Sequence, residues 1–178
     1  TLHVGGDAAR MLELRSAQAL VEALEEEANK PSFVLGGGSN VLVSDSGWEG
    51  TVFRFLDTAL AFEADGSRVR VRAGAGLGWD VLVARSVEEG LAGLECLSGI
   101  PGLVGAAPIQ NIGAYGQELS ETLVAVQAVE RSSGRIVRLE AADCGLAYRE
   151  SHFKGSWRDR YVVTGIELML VPGGAPTL

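Results

Sequence analysis

The feature that most constrains the fold of this chain is a stretch from Cys96 to Gln117 without a single charged residue. A helix that crosses a membrane needs about 20 mostly apolar residues with unbroken backbone hydrogen bonding. This stretch contains Pro101, Pro108 and several glycines, so we do not interpret it as a membrane span. Loops without secondary structure beyond about 12–15 residues are uncommon unless they are functional. The stretch therefore becomes the first candidate for a binding site.

The composition bounds the class of protein. Of the 178 residues 47% are apolar, which is enough for one domain or for two small lobes with a shared core. Fifteen Lys and Arg against 23 Asp and Glu give a formal net charge of −8, so nucleic acid is an unexpected partner. Cys96 and Cys144 have no metal-ligand spacing, and no signal peptide is visible. We expect a cytoplasmic protein with no metal site and no membrane association, whose oligomeric state the sequence leaves open.

Apolar periodicity and turn residues predict more strands than helices. Ser16 is a good N-cap for a first helix, which Asn29 and Pro31 would end. A second helix is predicted from Trp79 to Glu89, with Gly90 just after its end. The expected buried faces are Ala17, Leu20, Val21, Leu24 and Ala28 on the first helix, and Trp79, Leu82, Val83, Ser86 and Val87 on the second. The predicted strands are Met11–Leu14, Phe33–Leu35, Val41–Val43, Thr51–Phe55, Arg68–Ala73, Leu123–Glu130, Arg135–Leu139 and Val162–Leu170. This mixture indicates an α+β fold.

Gly36-Gly37-Gly38-Ser39-Asn40 follows the short apolar run Phe33–Leu35. A dinucleotide-binding Rossmann loop would be followed by a helix, whereas here strand-like residues Val41–Val43 come next, so that interpretation fails. Two interpretations stay open. The peptide N–H groups form an anion-binding nest, or the glycines serve an ordinary tight turn.

The segment Gly99–Gly116 is long, uncharged and rich in small residues. It suits a wall for a planar aromatic ligand that the backbone approaches closely. Alternatively, it is a buried connection packed against a sheet.

A third segment, Tyr148–Lys154, is charged. Its Arg149 either has a functional role or simply pairs with Glu150 or Asp143. His152 has no companion residue for a metal site.

These motifs together carry a resemblance. Gly36–Val43, Gly93-Leu94-Glu95, Ile100–Gly116 and Tyr148–Lys154 occur in the order that is typical of the UDP-N-acetylenolpyruvoylglucosamine reductase (MurB) family, and the run IPGLVGAAPIQNIGAYG is its most specific element. The resemblance covers essentially the whole chain. It implies a PCMH-type (vanillyl-alcohol-oxidase-like) FAD-binding fold over residues 1–170, with two α+β subdomains of about 1–66 and 67–170 that hold FAD between them.

The resemblance also implies a set of site residues. Arg149 would be catalytic as a fixed cation for the enolate-like charge of the reaction, and it would bind substrate together with Tyr148. The glycine nest would take the pyrophosphate of a noncovalently bound FAD, and the uncharged segment would line its flavin ring and ribityl chain. The expected cofactor-binding residues are Gly36, Gly37, Gly38, Ser39, Asn40, Val41, Ile100, Pro101, Gly105, Ala106, Ile109, Asn111, Ile112, Gly113 and Tyr115.

The implied activity belongs to peptidoglycan precursor synthesis: NADPH reduces FAD, and UDP-GlcNAc-enolpyruvate is then reduced to UDP-N-acetylmuramate. The family's serine proton donor and late glutamate lie in a further substrate-binding domain, and neither motif occurs before Leu178. Residues 171–178 resemble the linker to that domain, so we expect a truncated chain or a portion of a longer protein. Two alternatives stay open: a stand-alone FAD-binding module without reductase chemistry, and a PCMH-type flavin oxidase.

Overall fold

The computed structural model describes residues 4–28 and 30–173, which form two main sheets, a two-stranded sheet and two α-helices. The helices are α1 (Ala17–Glu26) and α2 (Trp79–Glu88). The strands are β1 (Ala8–Leu14), β2 (Ser32–Leu35), β3 (Trp48–Phe55), β4 (Leu60–Asp65), β5 (Arg68–Gly74), β6 (Leu91–Ala92), β7 (Gly113–Ala114), β8 (Gln117–Glu118), β9 (Leu123–Glu130), β10 (Ile136–Glu140) and β11 (Tyr161–Pro172). Short 3₁₀ turns cover Glu95–Leu97, Val104–Ile109, Leu119–Glu121 and Ala141–Asp143.

The first sheet is parallel and has the order β1-β3-β2. Helix α1 makes the connection from β1 to β2, and Ser16 caps it, since its Oγ accepts a hydrogen bond from Ala19 N at 3.1 Å. The buried face of α1 places Leu20 and Ala23 against Phe53 and Phe55 of the central strand. Apolar burial on this one face fixes the helix to the sheet.

The second sheet is antiparallel and has the order β10-β9-β11-β5-β4, with β6 added beside β11. Its core lies on one face, beneath α2 and the 3₁₀ turn Val104–Ile109. Trp79, Leu82, Leu97, Val104 and Leu168 are among the side chains buried there.

The two sheets share part of a core. Val129 of β9 and Val162 of β11 are buried together with Leu14 and Phe55 of the first sheet. The carboxyl end of β2 and the residues after it therefore lie beside the second sheet. The cleft between the two sheets is where we expect a binding site.

Most predicted elements are observed, often one to three residues longer. The hairpin through Ser132-Ser133-Gly134 is present as β9 and β10, paired antiparallel. Gly90 follows α2 with a φ of +69°, as expected for the residue after a helix.

Several predictions are wrong. Residues 41–43 form no strand, because no neighbouring strand pairs with them, and Leu42 is 75% exposed. Val87 is 52% exposed, since it lies on the outer side of α2. The predicted helix stop at Asn29 lies outside the described residues.

Strand β4 was not predicted from the sequence, and it pairs with β5 in the second sheet. Residues 60–65 are therefore part of that sheet, and the subdomain boundary near residue 66 stays a prediction. At the other end, the expected linker begins inside a strand, because Val171 of β11 pairs with Ala92, and residues 174–178 lie outside the described range. No helix within the described residues is long and apolar enough to cross a membrane.

Candidate functional site

The two glycine segments of the sequence face each other across the cleft. A Cβ placed on Gly37 would lie 3.4 Å from the Cα of Gly102, and one placed on Gly102 would lie 3.5 Å from the Oγ of Ser39. Gly102 has a φ of +126°, a conformation that side chains with a Cβ rarely adopt. Segments about 60 residues apart in sequence thus approach each other closely at Gly37 and Gly102.

The first segment, Gly36–Asn40, leaves the end of β2 and is open. Within the described part of the chain, no protein group accepts a hydrogen bond from the peptide N–H groups of residues 36–40. Cβ atoms on Gly36 and Gly37 would meet no protein atom closer than 3.9 and 3.4 Å, so packing does not require glycine there. Free N–H donors without covering side chains form the kind of concave surface that binds anions.

The second segment is rigid. Val104 N donates to Leu77 O at 2.9 Å, Gly105 N donates to Ala75 O at 3.0 Å, and Trp79 N donates to Gly102 O at 3.0 Å. These bonds fix the 3₁₀ turn Val104–Ile109 against the second sheet and the start of α2. The segment is therefore a preformed wall.

Two adjoining cavities lie along these segments. The first has a volume of about 320 Å³ and lies between the glycine loop and the uncharged segment. The second has a volume of about 510 Å³ and extends along β2 toward β11. They share walls, and the residues common to both are Val34, Gly36, Leu103, Ala106, Ile109 and Lys154.

Most of the predicted cofactor-binding residues line these cavities. Those in the walls are Gly36, Gly37, Gly38, Ser39, Asn40, Val41, Ile100, Pro101, Gly105, Ala106, Ile109 and Ile112. Asn111, Gly113 and Tyr115, and the predicted substrate residues Tyr148 and Arg149, are not among the wall residues.

Asn111 is 1% exposed, and its side chain joins neighbouring segments of the fold rather than lining a cavity. Its amide nitrogen donates to Glu118 Oε2 at 2.7 Å and to Ala147 O at 3.0 Å, and its Oδ1 accepts from Ser120 N at 3.0 Å. The side chain therefore ties the end of the uncharged segment to the turn that carries Arg149.

Arg149 lies in a tight turn closed by paired backbone hydrogen bonds between Ala147 and Glu150. Its φ is +56°, and its Nη2 donates to Gly113 O at 2.8 Å. The neighbouring rings of Tyr115 and Tyr148 are 86% and 78% exposed. Neither suggested ion pair of Arg149, with Glu150 or with Asp143, is formed among the described residues. The guanidinium instead stands at the surface, joined to the uncharged segment.

The segment Tyr148–Lys154 supports the cavity floor. Ser151 is buried, and its Oγ donates to Ile109 O at 2.5 Å. Lys154 lines both cavities, and its Nζ donates to Arg149 O at 2.6 Å. The position of Lys154 at the end of a motif that includes Arg149 was the available signal for its role.

Sequence reasoning missed further wall residues of the larger cavity. They are Ser32, Phe33, Val34, Leu35, Phe55, Ala75, Leu103, Arg131, Phe153, Arg158, Asp159, Tyr161, Val162 and Val163. Most are ordinary strand residues, and no sequence motif distinguishes them.

The two cysteines do not contribute to the cavity walls. Both are buried, and burial raises the pKa of the Cys144 thiol to about 11, so that thiol is unreactive at neutral pH. His152 packs edge-on against Trp157 and contacts Asp143 O through Nδ1 at 2.9 Å. Among the described residues no group of His, Cys, Asp and Glu has metal-binding geometry.

Comparison with known proteins agrees with this geometry. A family model described as "FAD binding domain" matches residues 8–140. The chain belongs to the FAD-binding domain family. FAD, the cofactor expected from the sequence, is thus confirmed as the cofactor of this family. The open N–H groups at Gly36–Asn40 and the adjoining cavities fit such a dinucleotide.

Two relatives of this FAD-binding domain have the same name. The chain is 50% identical over 93% of its length to the UDP-N-acetylenolpyruvoylglucosamine reductase of Thermobifida fusca, and 47% identical over 96% of its length to that of Salinispora arenicola. The chain covers 47% of each of these relatives, so it spans about half their length. The resemblance drawn from the sequence motifs is confirmed.

Solved structures support the same fold. The crystal structure of UDP-N-acetylenolpyruvylglucosamine reductase (MurB) from Thermus caldophilus matches with a TM-score of 0.74 and 30% identity, over 92% of this chain and 56% of that one. A solvent-stable cholesterol oxidase matches at 18% identity with a TM-score of 0.62, over 91% of this chain and 34% of that one, and shares the fold alone. The predicted PCMH-type α+β class is confirmed.

Proposed function

We propose that the protein binds FAD noncovalently across the two adjoining cavities. The observation that carries this proposal is the set of peptide N–H groups at Gly36–Asn40, which have no acceptor among the described residues and adjoin a cavity whose one charged wall residue is Lys154. The N–H groups would hold the pyrophosphate, because backbone donors offset negative charge in a chain with a net charge of −8. Ile100, Pro101 and Ile112 would form the flat apolar wall for the flavin ring.

We further propose that this domain serves a reductase that converts UDP-GlcNAc-enolpyruvate to UDP-N-acetylmuramate, with NADPH as reductant, in the cytoplasm. FAD supplies the capacity to accept and donate a hydride. Arg149 is the residue of this chain that would meet the substrate. A guanidinium keeps its charge and pairs bidentately with a carboxylate, and it stabilises the negative charge that develops on the substrate in the reaction.

The fixed position of Arg149 supports this role. Its bond to Gly113 O anchors the guanidinium to the segment that lines the smaller cavity, and Lys154 holds the turn through Arg149 O. Positioning by neighbouring contacts, rather than flexibility, is what charge stabilisation in a transition state requires.

A flavin oxidase remains the competing function. Two oxidases share the fold at 18% identity, which says nothing of activity. Some PCMH-type oxidases tether flavin through His or Cys, and within the described chain neither residue type occurs in the walls of the two cavities. This observation favours noncovalent binding.

The first test is the flavin content of the purified protein. We expect a flavin absorbance spectrum, with all of the flavin released by acid precipitation. A colourless protein that cannot be reconstituted with added FAD would contradict the proposal, and flavin that stays with the precipitate would indicate a covalent link.

The second test is Arg149→Lys in the full-length protein. Reduction of the enolpyruvyl substrate is expected to slow by about 10²–10³-fold, the usual effect of removing one preorganised charge-stabilising donor, because an ammonium does not reproduce the guanidinium fork. Flavin reduction by NADPH should change much less. Arg85→Lys, an exposed change on α2, is the control. Equal losses in both half-reactions would instead assign Arg149 to holding the loop.

A further inference from the structure

Arg131 is a half-buried cation in the wall of the larger cavity. It directly follows β9, and its peptide N–H donates to Arg160 O at 2.9 Å, which fixes its backbone. Its Nη1 donates to the hydroxyl of Ser32, in the other sheet, at 2.8 Å. The guanidinium therefore lies where the two units meet.

Within the described residues, Arg131 forms no ion pair. The neighbouring carboxylate of Glu130 is already occupied, by Arg160 at 3.0 Å and by Ser133 at 2.7 Å. Asp159, which also lines the cavity, has an exposed side chain whose nearest cation is Arg158, at 3.8 Å. Loss of solvation lowers the pKa of Arg131 below its ordinary value, and the charge of Asp159 opposes this effect only in part.

A guanidinium has five N–H donors, and Ser32 takes one of them. Partly buried charges in proteins are normally paired. The remaining donors of Arg131 adjoin a cavity of about 510 Å³, so the missing acceptors are best supplied by a ligand.

The position of Arg131 along β2 indicates which part of a ligand it meets. Ser32 begins β2 and Gly36 follows its last residue. At about 3.3 Å per residue, these two ends are about 13 Å apart, which is roughly the length of a nucleoside. A dinucleotide whose pyrophosphate lies at Gly36–Asn40 would thus reach Arg131 with one of its two nucleoside ends.

The two cavities differ in a way that distinguishes those ends. Apart from Lys154, the walls of the smaller cavity are uncharged and mostly apolar or glycine, which suits the flavin ring. The larger one adds Arg131 and Arg158 to apolar strand residues such as Val34 and Phe55. An AMP unit offers the matching chemistry, since it has an apolar purine face and several hydrogen-bond acceptors on its ring, ribose and phosphate.

We propose that Arg131, held by Ser32, binds the AMP half of the dinucleotide and so makes the protein select FAD over FMN. This inference rests on the proposed FAD binding and adds a residue that determines cofactor length. It predicts that the contribution of Arg131 disappears when the ligand lacks the AMP half.

The test compares three ligands on the flavin-free protein. Affinities for FAD and FMN are measured by flavin fluorescence, and the affinity for ADP is measured by calorimetry, for the wild type, Arg131→Met and the control Arg85→Met. A hydrogen bond from a charged donor is worth about 1.5–3 kcal/mol, so we expect Arg131→Met to weaken FAD and ADP binding by about 10- to 150-fold and to leave FMN binding unchanged. Arg85 is exposed on α2 and lines neither cavity, so Arg85→Met should change the affinity for each ligand by less than about threefold. Arg131→Lys keeps the charge without the fork and should give an intermediate loss.

The outcomes separate this inference from the proposed function. Unchanged FAD and ADP affinities in Arg131→Met would overturn the inference, and so would equal losses for FAD and FMN, because these would make Arg131 a link between the two sheets. A wild type that binds ADP but not FAD would contradict the proposed function, while an ADP loss in the variant would still support the role of Arg131. A wild type that binds none of the ligands would overturn both. Thermal unfolding of the flavin-free variants shows whether each is folded.

Discussion

The two glycine segments of this chain look alike in sequence and behave differently in the structure. Residues 36–40 leave β2 with peptide N–H groups that have no protein acceptor, and Cβ atoms on Gly36 and Gly37 would meet only ordinary contacts. In the segment Gly99–Gly116, by contrast, a Cβ on Gly105 would lie 2.7 Å from the Cβ of Ala75. The fold therefore requires glycine at Gly105, whereas at Gly36 and Gly37 we propose that the requirement comes from a ligand.

This difference means that a glycine-rich motif does not have one meaning. An open loop can change shape when an anion binds, whereas a wall fixed by backbone hydrogen bonds presents the same surface with or without a ligand. Pairing one open and one rigid segment reduces the cost of ordering the site, because only one side has to be fixed upon binding. Substitutions in the two segments should therefore affect different properties.

The largest effect is expected from Gly105→Val. Its Cβ would overlap Ala75, and the peptide bond that hydrogen-bonds to Ala75 O at 3.0 Å leaves no room to shift. Overpacking typically costs 1–3 kcal/mol and occasionally more, so we expect a loss of about 3 kcal/mol, which lowers the Tm by roughly 6–12 °C. Thermal unfolding of the flavin-free protein measures this, with Gly36→Ala as the control. A Tm within about 2 °C of the wild type would show that the second segment accommodates a larger side chain as easily as the first.

Gly37→Val should show the opposite pattern. The valine side chain would point into the space between the loop and Gly102, where a Cβ lies 3.4 Å from the nearest Cα. We expect the affinity for FAD to fall at least about tenfold, equivalent to about 1.4 kcal/mol, while the Tm of the flavin-free protein changes little. Fluorescence titration with FAD gives the affinity, and Gly37→Ala should lie between the valine variant and the wild type. An unchanged affinity would reduce the loop to a simple turn.

Sequence patterns predicted the local elements of the fold well. The N-cap of α1 at Ser16 and the hairpin of β9 and β10 depend on residues close together in the chain. The strand expected at Val41–Val43 is absent because strand formation needs a partner, and β-propensity alone provides none. Strand β4 was missed because it is a half-buried edge strand with only a weak alternation, as its burial shows.

Prediction of the site was limited in the same way, because part of it depends on contacts between residues that are distant in sequence. Predicted residues of the motif 100–116 line part of the smaller cavity, because the resemblance is carried by consecutive residues. The contact between Gly37 and Gly102 and the approach of Arg131 to Ser32 join residues that are far apart in the chain. Only the three-dimensional packing of the two sheets brings them together, and no local pattern encodes that.

The smallest effect is expected from the support of the rigid segment by Asp80, in the first turn of α2. Its carboxylate accepts hydrogen bonds from Gly99 N at 2.7 Å and from Ser98 Oγ at 2.9 Å. These bonds lower the pKa of Asp80 below its ordinary value of 3.8, and the bond from Gly99 has the largest effect. A lowered pKa stabilises the fold above pH 3.8, and this stabilisation is lost as the pH falls through the folded-state pKa. We therefore expect a small Tm advantage of the wild type over Asp80→Asn at neutral pH, which shrinks as the pH is lowered below that value. Asp143→Asn, at a side chain that accepts no hydrogen bond within the described structure, should show no such trend. A Tm difference that does not vary with pH would mean that the charge of Asp80 does not contribute to stability. An FAD affinity of Asp80→Asn that is reduced as much as in Gly37→Val would mean that the second segment is not a preformed wall.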